Sequence, residues 1–185
     1  MSKSLEMLEI VDANDNVIGL ETREKIHKNE LLHREIQVYF FTPKVEIIFQ
    51  HRAKNKDVFP DKLDATVGGH VEPKMSYKET VIKECKEETG IDIDLSKLVF
   101  LKKIQKKSFD KAIGLINNII LNQYSYLYDG SIVNLQVEDD KAQGFEVWKI
   151  DDLFSLSETD KDRFIPTVPE QAINVFNQTK QLLKK

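Results

Sequence analysis

Apolar residues along this chain fall mostly into short runs of strand length, and two stretches carry helical spacing instead. Residues 8–12 and 17–20 are apolar-rich and flank Asn14-Asp15-Asn16, a run of turn formers, so a hairpin is predicted there. Residues 24–35 are polar with two histidines, read as a loop with a helical turn. Residues 36–42 are rich in β-branched and aromatic side chains, Pro43-Lys44 interrupts them, and residues 45–50 resume the pattern as a second hairpin. A polar loop over 54–62 leads to a short strand, 63–67, that runs into Gly68-Gly69. Residues 76–89 have helix-forming composition without Gly or Pro. Ser76 and Glu79 have the spacing of a capping box, and Gly90 is suited to the position that stops a helix. Strands are predicted at 99–104, 116–128 and 145–150, with a turn at Asp129-Gly130. Pro169 and the apolar positions Ala172, Ile173, Val175, Phe176, Leu182 and Leu183 predict a C-terminal helix. Strands, one central helix, more strands and a final helix imply a mixed α+β sandwich.

Composition narrows this picture without changing it. The chain has 185 residues, 41% hydrophobic and 31% charged, as expected for one globular domain over 1–185. The net charge of −4 is spread along the chain, which argues against broad binding to nucleic acid and requires any phosphate site to be a local cluster. Cys85 is the single cysteine, so no intrachain disulfide forms, in keeping with a reducing compartment. The N-terminal residues lack the apolar stretch of a signal peptide, and no apolar run approaches the roughly 18 residues that span a membrane. The expectation is a cytoplasmic protein with no membrane partner.

The candidate chemistry sits on the central helix. At about 100° per residue, Glu84, Glu87 and Glu88 share one face within roughly a 100° arc. Three carboxylates so placed repel one another, and a hard divalent cation among them would relieve the repulsion. The same acids could equally form a solvated face, with Lys83 pairing to Glu79 and Glu87 one turn away. Gly68-Gly69, just before the helix, offers backbone that a ligand can approach closely.

The stretch 69–91 resembles the Nudix signature, G-x5-E-x7-R-E-U-x-E-E-x-G-U, with U a bulky apolar residue. Gly69, Glu84, Cys85, Glu87, Glu88, Gly90 and Ile91 fall on its positions, while Met75 stands at the signature Glu and Lys83 at the signature Arg. The resemblance implies a Nudix-type α/β/α sandwich with a mixed sheet. It also implies a hydrolase that cuts a diphosphate linkage, with Mg²⁺ or Mn²⁺ held by Glu84, Glu87 and Glu88. Met75 and Lys83 remove supporting groups, since lysine lacks the fixed donor fork of arginine, and such losses commonly cost about 10–100-fold in metal affinity or activity. Glu72 lies close enough in sequence to substitute in part for the missing acid.

Further segments resemble the branch that contains isopentenyl diphosphate isomerase and its hydrolase relatives: Leu31-Leu32-His33-Arg34, Gln50-His51-Arg52-Ala53, Val58-Phe59-Pro60 and Val67-Gly68-Gly69-His70. In the isomerase a cysteine precedes the Gly-His pair and two glutamates lie on a later strand. Here Gly68 and Ile116-Asn117-Asn118 stand at those places, which removes the agents of alkene protonation. His33 and His70 match isomerase metal ligands and His27 matches with a gap; three such histidines could bind a borderline metal or serve as ordinary hydrogen-bonding residues. Arg52 and Lys56 have the spacing with which the isomerase holds its diphosphate, and as bare sequence they also fit a solvated basic loop. Arg52, Lys56, Gly68 and Gly69 are therefore the expected substrate-binding residues.

The expected reaction is water attack on phosphorus in a nucleoside diphosphate derivative. Glu84 or an acid of the run Glu138-Asp139-Asp140 would act as base, with Glu138 the chosen candidate. Tyr39, Phe40, Tyr126 and Trp148 are the aromatics considered for base stacking, against a place in the core. The alternatives are a catalytically degraded domain acting as a binding module and an isomerase-like activity. The apolar strand over 116–128 fits either a central place in one sheet or pairing across a homodimer.

Overall fold

The computed structural model describes residues 6–56, 58–110 and 115–182. Its element order is β1 (Met7–Val11), β2 (Val17–Thr22), α1 (Arg23–Lys28), β3 (His33–Phe41), β4 (Glu46–Arg52), β5 (Leu63–Asp64), β6 (Val67–His70), α2 (Tyr77–Thr89), β7 (Leu98–Asp110), β8 (Leu115–Leu127), β9 (Ala142–Lys149), α3 (Glu158–Lys161) and α4 (Val168–Leu182). Short 3₁₀ turns at Leu95–Lys97, Ile132–Asn134 and Ile150–Ser155 join some of these.

β1 and β2 form the predicted hairpin as a separate ribbon. The other strands make one mixed sheet whose main order is β5-β4-β3-β8-β7. β3 lies parallel to β8, antiparallel to β6 along its first half and antiparallel to β4 at its end. β9 covers the outer edge of β4. β8 has β3 on one edge and β7 on the other, so its apolar length reflects a central position.

Period-two alternation sorts the strand residues into two cores. Ile36, Val38 and Phe40 of β3 and Ile48 of β4 pack with Val81 and Cys85 of α2. Tyr39, Phe41, Ile47 and Phe49 point the other way, onto Ala172 and Val175 of α4 and onto Phe164. The result is a three-layer α/β/α sandwich with the sheet in the middle, which agrees with the expected fold class.

The caps of α2 form as the sequence implies. Ser76 and Glu79 make a full capping box, and Gly90 ends the helix at φ 74° in the left-handed region. Two readings are revised. The strand expected over 63–67 is divided between two partners, β5 on β4 and β6 on β3. Thr66 sits at the division, where its buried hydroxyl accepts from the Phe40 amide at 2.8 Å and donates to the Ile48 carbonyl. One side chain thus satisfies backbone groups that a continuous ladder would otherwise pair. β3 also begins three residues earlier than the apolar run, at His33, because pairing with β6 and β8 extends it through polar residues.

Candidate active site and metal centres

β6 positions two sites at once. Gly69 pairs with Ile36 and faces α2, whereas His70 pairs with Glu35 and faces the opposite side of the sheet. On the α2 side, a Cβ at Gly69 would lie 2.7 Å from Cδ of Glu84, so only glycine lets that carboxylate lie flat against β6. Glu84 and Glu88 are both buried, one turn apart. Glu88 accepts from Gln50 Nε2 at 3.2 Å and from the Gly68 amide at 3.3 Å. Gln50 reaches it because alternation along β4 turns Gln50, like Ile48, toward α2.

This acid pair wants a cation. Burial, reinforced by the neighbouring Glu84, pushes the Glu88 carboxyl up to about 8 against the opposing pull of Lys141, Gly68 and Gln50. Burial also raises Glu84, against the attraction of Lys83 and Lys141. Lys83 supplies a positive charge from within the helix. Its ammonium lies 2.6 Å from Glu87, 3.2 Å from Glu84 and 3.3 Å from Glu72. Burial works against the charge on Lys83, but these partners outweigh it and raise its pKa. Glu72, in the loop before the helix, does join the cluster, as its place in sequence suggested. The ammonium is a stand-in for a cation. It shows that Glu84 and Glu87 can converge on one positive charge, so these residues fit a divalent ion once Lys83 swings aside. Glu87 is the exposed member and Glu88 the innermost.

The loop after β8 closes over this face. The Gln136 amide bonds Thr89 O at 2.9 Å, and Lys141 pairs with Glu138 at 2.7 Å. Lys141 lies within electrostatic reach of both Glu84 and Glu88. Burial alone would lower its pKa, but Glu138 and the two helix acids raise it. Glu138 is therefore brought to the acid helix through Lys141. Asp140 adopts φ 62° in the turn that allows this.

Arg52, one of the expected substrate-binding residues, is engaged with the protein's own groups here. Its fork donates to Val58 O at 2.7 Å, Phe59 O at 3.1 Å and Asp64 at 3.1 Å, which makes it a brace for the loop before β5. The Lys56 amide closes a turn on Ala53 O at 3.3 Å. Of the aromatics, Tyr39, Phe40 and Tyr126 are buried in the cores, and Trp148 packs edge-on against Phe164 at 5.1 Å under Arg163.

The second site lies on the other face. His27 of α1, His33 of β3 and His70 of β6 bring their rings to within 5.1–5.7 Å of one another. One ligand nitrogen from each lies within 4.8 Å of the others; among the described residues this is the metal-type cluster that meets that distance. Both His27 nitrogens and His33 Nε2 are buried without a hydrogen-bond partner. An orphaned buried polar atom costs about 1–3 kcal/mol, so the donor set fits a metal ion that would satisfy these lone pairs together. Burial is the main cause that lowers His27 to about 4, with the neighbouring His33 and His70 imidazoles disfavouring a further positive charge, which keeps it neutral as a ligand must be. The sequence reading placed its expected metal on the glutamates and left the three histidines open between a borderline metal and ordinary hydrogen bonding; their convergence depends on α1 docking beside β3, which no local pattern reports.

The NUDIX domain model matches residues 31–168. This chain belongs to the Nudix hydrolase family. A prenyl-diphosphate phosphatase of Methanosarcina mazei is 24% identical over 172 residues, covering 93% of this chain and 96% of that protein. An isopentenyl-diphosphate Delta-isomerase of Serratia proteamaculans is 27% identical over 139 residues, covering 75% and 70%. Several other Nudix relatives are matched over about half of their length. Among solved structures, DR0079 from Deinococcus radiodurans superposes with a TM-score of 0.65 at 21% identity, covering 81% of this chain and 87% of that one, which supports the Nudix fold. These likenesses agree with the isomerase-like branch of the Nudix family. No helix among the described residues is long and apolar enough to cross a membrane.

Proposed function

We propose that this Nudix protein hydrolyses the diphosphate linkage of a small organic diphosphate, with Mg²⁺ or Mn²⁺ held by Glu84, Glu87 and Glu88. The observation that carries the reading is the buried Glu84–Glu88 pair, with Glu84 pressed against Gly69 and gathered with Glu87 around one positive charge. A bound divalent ion supplies polarisation of a phosphoryl oxygen and a lowered pKa for water. The chain's own residues do the rest. Gly69 leaves room for the Glu84 carboxylate against β6, and the Gly68 amide holds Glu88, so both glycines shape the site in which the diphosphate would sit. Glu88, held by Gln50 and the Gly68 amide, fixes the depth of the site. Glu138, steadied by Lys141, accepts the proton of the attacking water. The new bond joins the water oxygen to phosphorus, and the bridging P–O bond breaks with its electron pair on the leaving phosphate.

Two substrate classes follow from different observations. The sequence reading is a nucleoside diphosphate derivative. The likeness to a prenyl-diphosphate phosphatase over nearly the whole chain favours an isoprenoid diphosphate, and the burial of Tyr39, Phe40 and Tyr126 removes three of the four aromatics considered for base stacking. A panel of nucleoside diphosphate sugars and short prenyl diphosphates, assayed for phosphate-bearing products with Mg²⁺ or Mn²⁺, tests both. Turnover of one class by wild type and a loss of about 100-fold or more in Glu87→Gln supports the proposal, in line with several kcal/mol of metal-borne stabilisation. Equal rates in the two proteins would point instead to a binding module.

A further inference from the structure

The three-histidine cluster lies on a sheet face where β8 offers Asn117, with Ile116 and Asn118 as neighbours in sequence, and no acid. A carboxylate reaches the cluster from another strand. Glu35 is two residues beyond His33 on β3, so alternation puts both on one face, and the β3–β6 register sets Glu35 directly opposite His70. Glu35 Oε1 lies 3.4 Å from His70 Nε2 and 3.8 Å from His33 Nε2. Asn117 Nδ2 donates to the same oxygen at 2.9 Å.

The proton positions make this arrangement incomplete without a cation. His33 Nδ1 faces the Leu31 carbonyl at 3.0 Å, and a carbonyl only accepts, so Nδ1 carries the proton and Nε2 presents a lone pair to the cluster. His70 faces a carboxylate at each ring nitrogen, Glu6 at 3.4 Å from Nδ1 and Glu35 at 3.4 Å from Nε2; with the proton on Nδ1 toward Glu6, Nε2 is free to act as a ligand beside Glu35. The His33 and His70 Nε2 atoms and the Glu35 oxygen thus lie together beside the His27 ring, whose two nitrogens have no hydrogen-bond partner. We propose that Glu35 is the carboxylate ligand of this centre. It completes a set of three imidazoles and one carboxylate for a borderline divalent ion of the Zn²⁺ type, distinct from the hard-ion site on α2. Asn117 and Glu6 are positioning residues. Asn117 fixes the Glu35 carboxylate, and Glu6 fixes the His70 tautomer, as partners behind metal ligands commonly do.

The test is direct metal binding by the whole chain. Chelator-treated protein is titrated with Zn²⁺ or Co²⁺ in excess Mg²⁺, reading metal content after desalting and the visible spectrum of bound Co²⁺. The expected result is one equivalent of Zn²⁺ and a nitrogen-rich Co²⁺ spectrum, both unchanged in Glu87→Gln, so that failure here and failure of the hydrolase reading are separable. Glu35→Gln should weaken Zn²⁺ binding at least 10-fold and alter the Co²⁺ spectrum, and Asn117→Ala should weaken it less. His27→Gln replaces an unpartnered buried ring, so it should fold and lose the Zn²⁺. Should Glu35→Gln fail to fold, Glu35→Asp is read by its Co²⁺ spectrum. An unchanged spectrum and affinity in the folded Glu35 variant, or no Zn²⁺ on wild type, overturns the assignment.

Discussion

Replacing Glu88 by glutamine should stabilise the metal-free protein while destroying its site. Glu88 is 5% exposed, and burial beside Glu84 carries its carboxyl from 4.5 to about 8. The folded state therefore binds this proton more tightly than the unfolded chain. The resulting stability is fully present below pH 4.5, falls as pH rises, and is lost above about 8. At about 1.4 kcal/mol per decade the whole loss is at most on the order of 5 kcal/mol. The glutamine side chain carries no charge to bury, and its amide oxygen can still accept from Gln50 and the Gly68 amide, two bonds worth about 1 kcal/mol each. Urea denaturation in chelator should thus show Glu88→Gln more stable than wild type by about 2–4 kcal/mol at pH 8.5 and nearly equal to it at pH 5. Saturating Mg²⁺ should close most of the gap, because wild type gains about 2.7 kcal/mol at a hundred times Kd and the variant gains little. Equal stability of the two metal-free proteins at pH 8.5, or a gap that does not grow between pH 5 and 8.5, would refute the claim that Glu88 is held against its charge.

Three further predictions are structural. Gly69→Ala puts a methyl 2.7 Å from Glu84 Cδ, so the side chain must turn away; calorimetry should show about 10-fold weaker Mg²⁺ binding, and denaturation a loss of about 1–3 kcal/mol. Arg52→Ala leaves the carbonyls of Val58 and Phe59 and the Asp64 carboxylate without their donor; a loss of about 1–3 kcal/mol in denaturation marks it as a brace, whereas a raised KM at unchanged stability would restore the clamp. Phe164→Ala removes a fully buried ring that touches Phe49 and Trp148; it should cost about 3–5 kcal/mol with the α2 site intact, read as a shifted denaturation midpoint and an unchanged Mg²⁺ affinity.

Local sequence determined a good deal of this molecule. Ser76, Glu79 and Gly90 specify where α2 starts and stops through hydrogen bonds within a few residues, and both ends form as the spacing implies. The face shared by Glu84, Glu87 and Glu88 follows from the helical repeat alone. The run 36–42 announces a strand buried on both sides, because nearly every residue in it is large and apolar. Tertiary structure decided what each polar residue does. Arg52 carries the same charge in a clamp or a brace, and only the path of the loop through Val58 and Phe59 makes it a brace. His33 and Glu35 fell in the stretch read as a loop; pairing with β6 and β8 puts them on one strand face, their meeting with His70 depends on the β3–β6 register, and His27 arrives from a helix that follows a separate ribbon. Hydrogen bonding within a helix and at its caps is short-ranged and readable from neighbours, whereas strand pairing is not. Burial, which sets the charge of Glu88 and leaves the histidine nitrogens without partners, is a property of the packed layers and exists only once the sheet is covered on both faces.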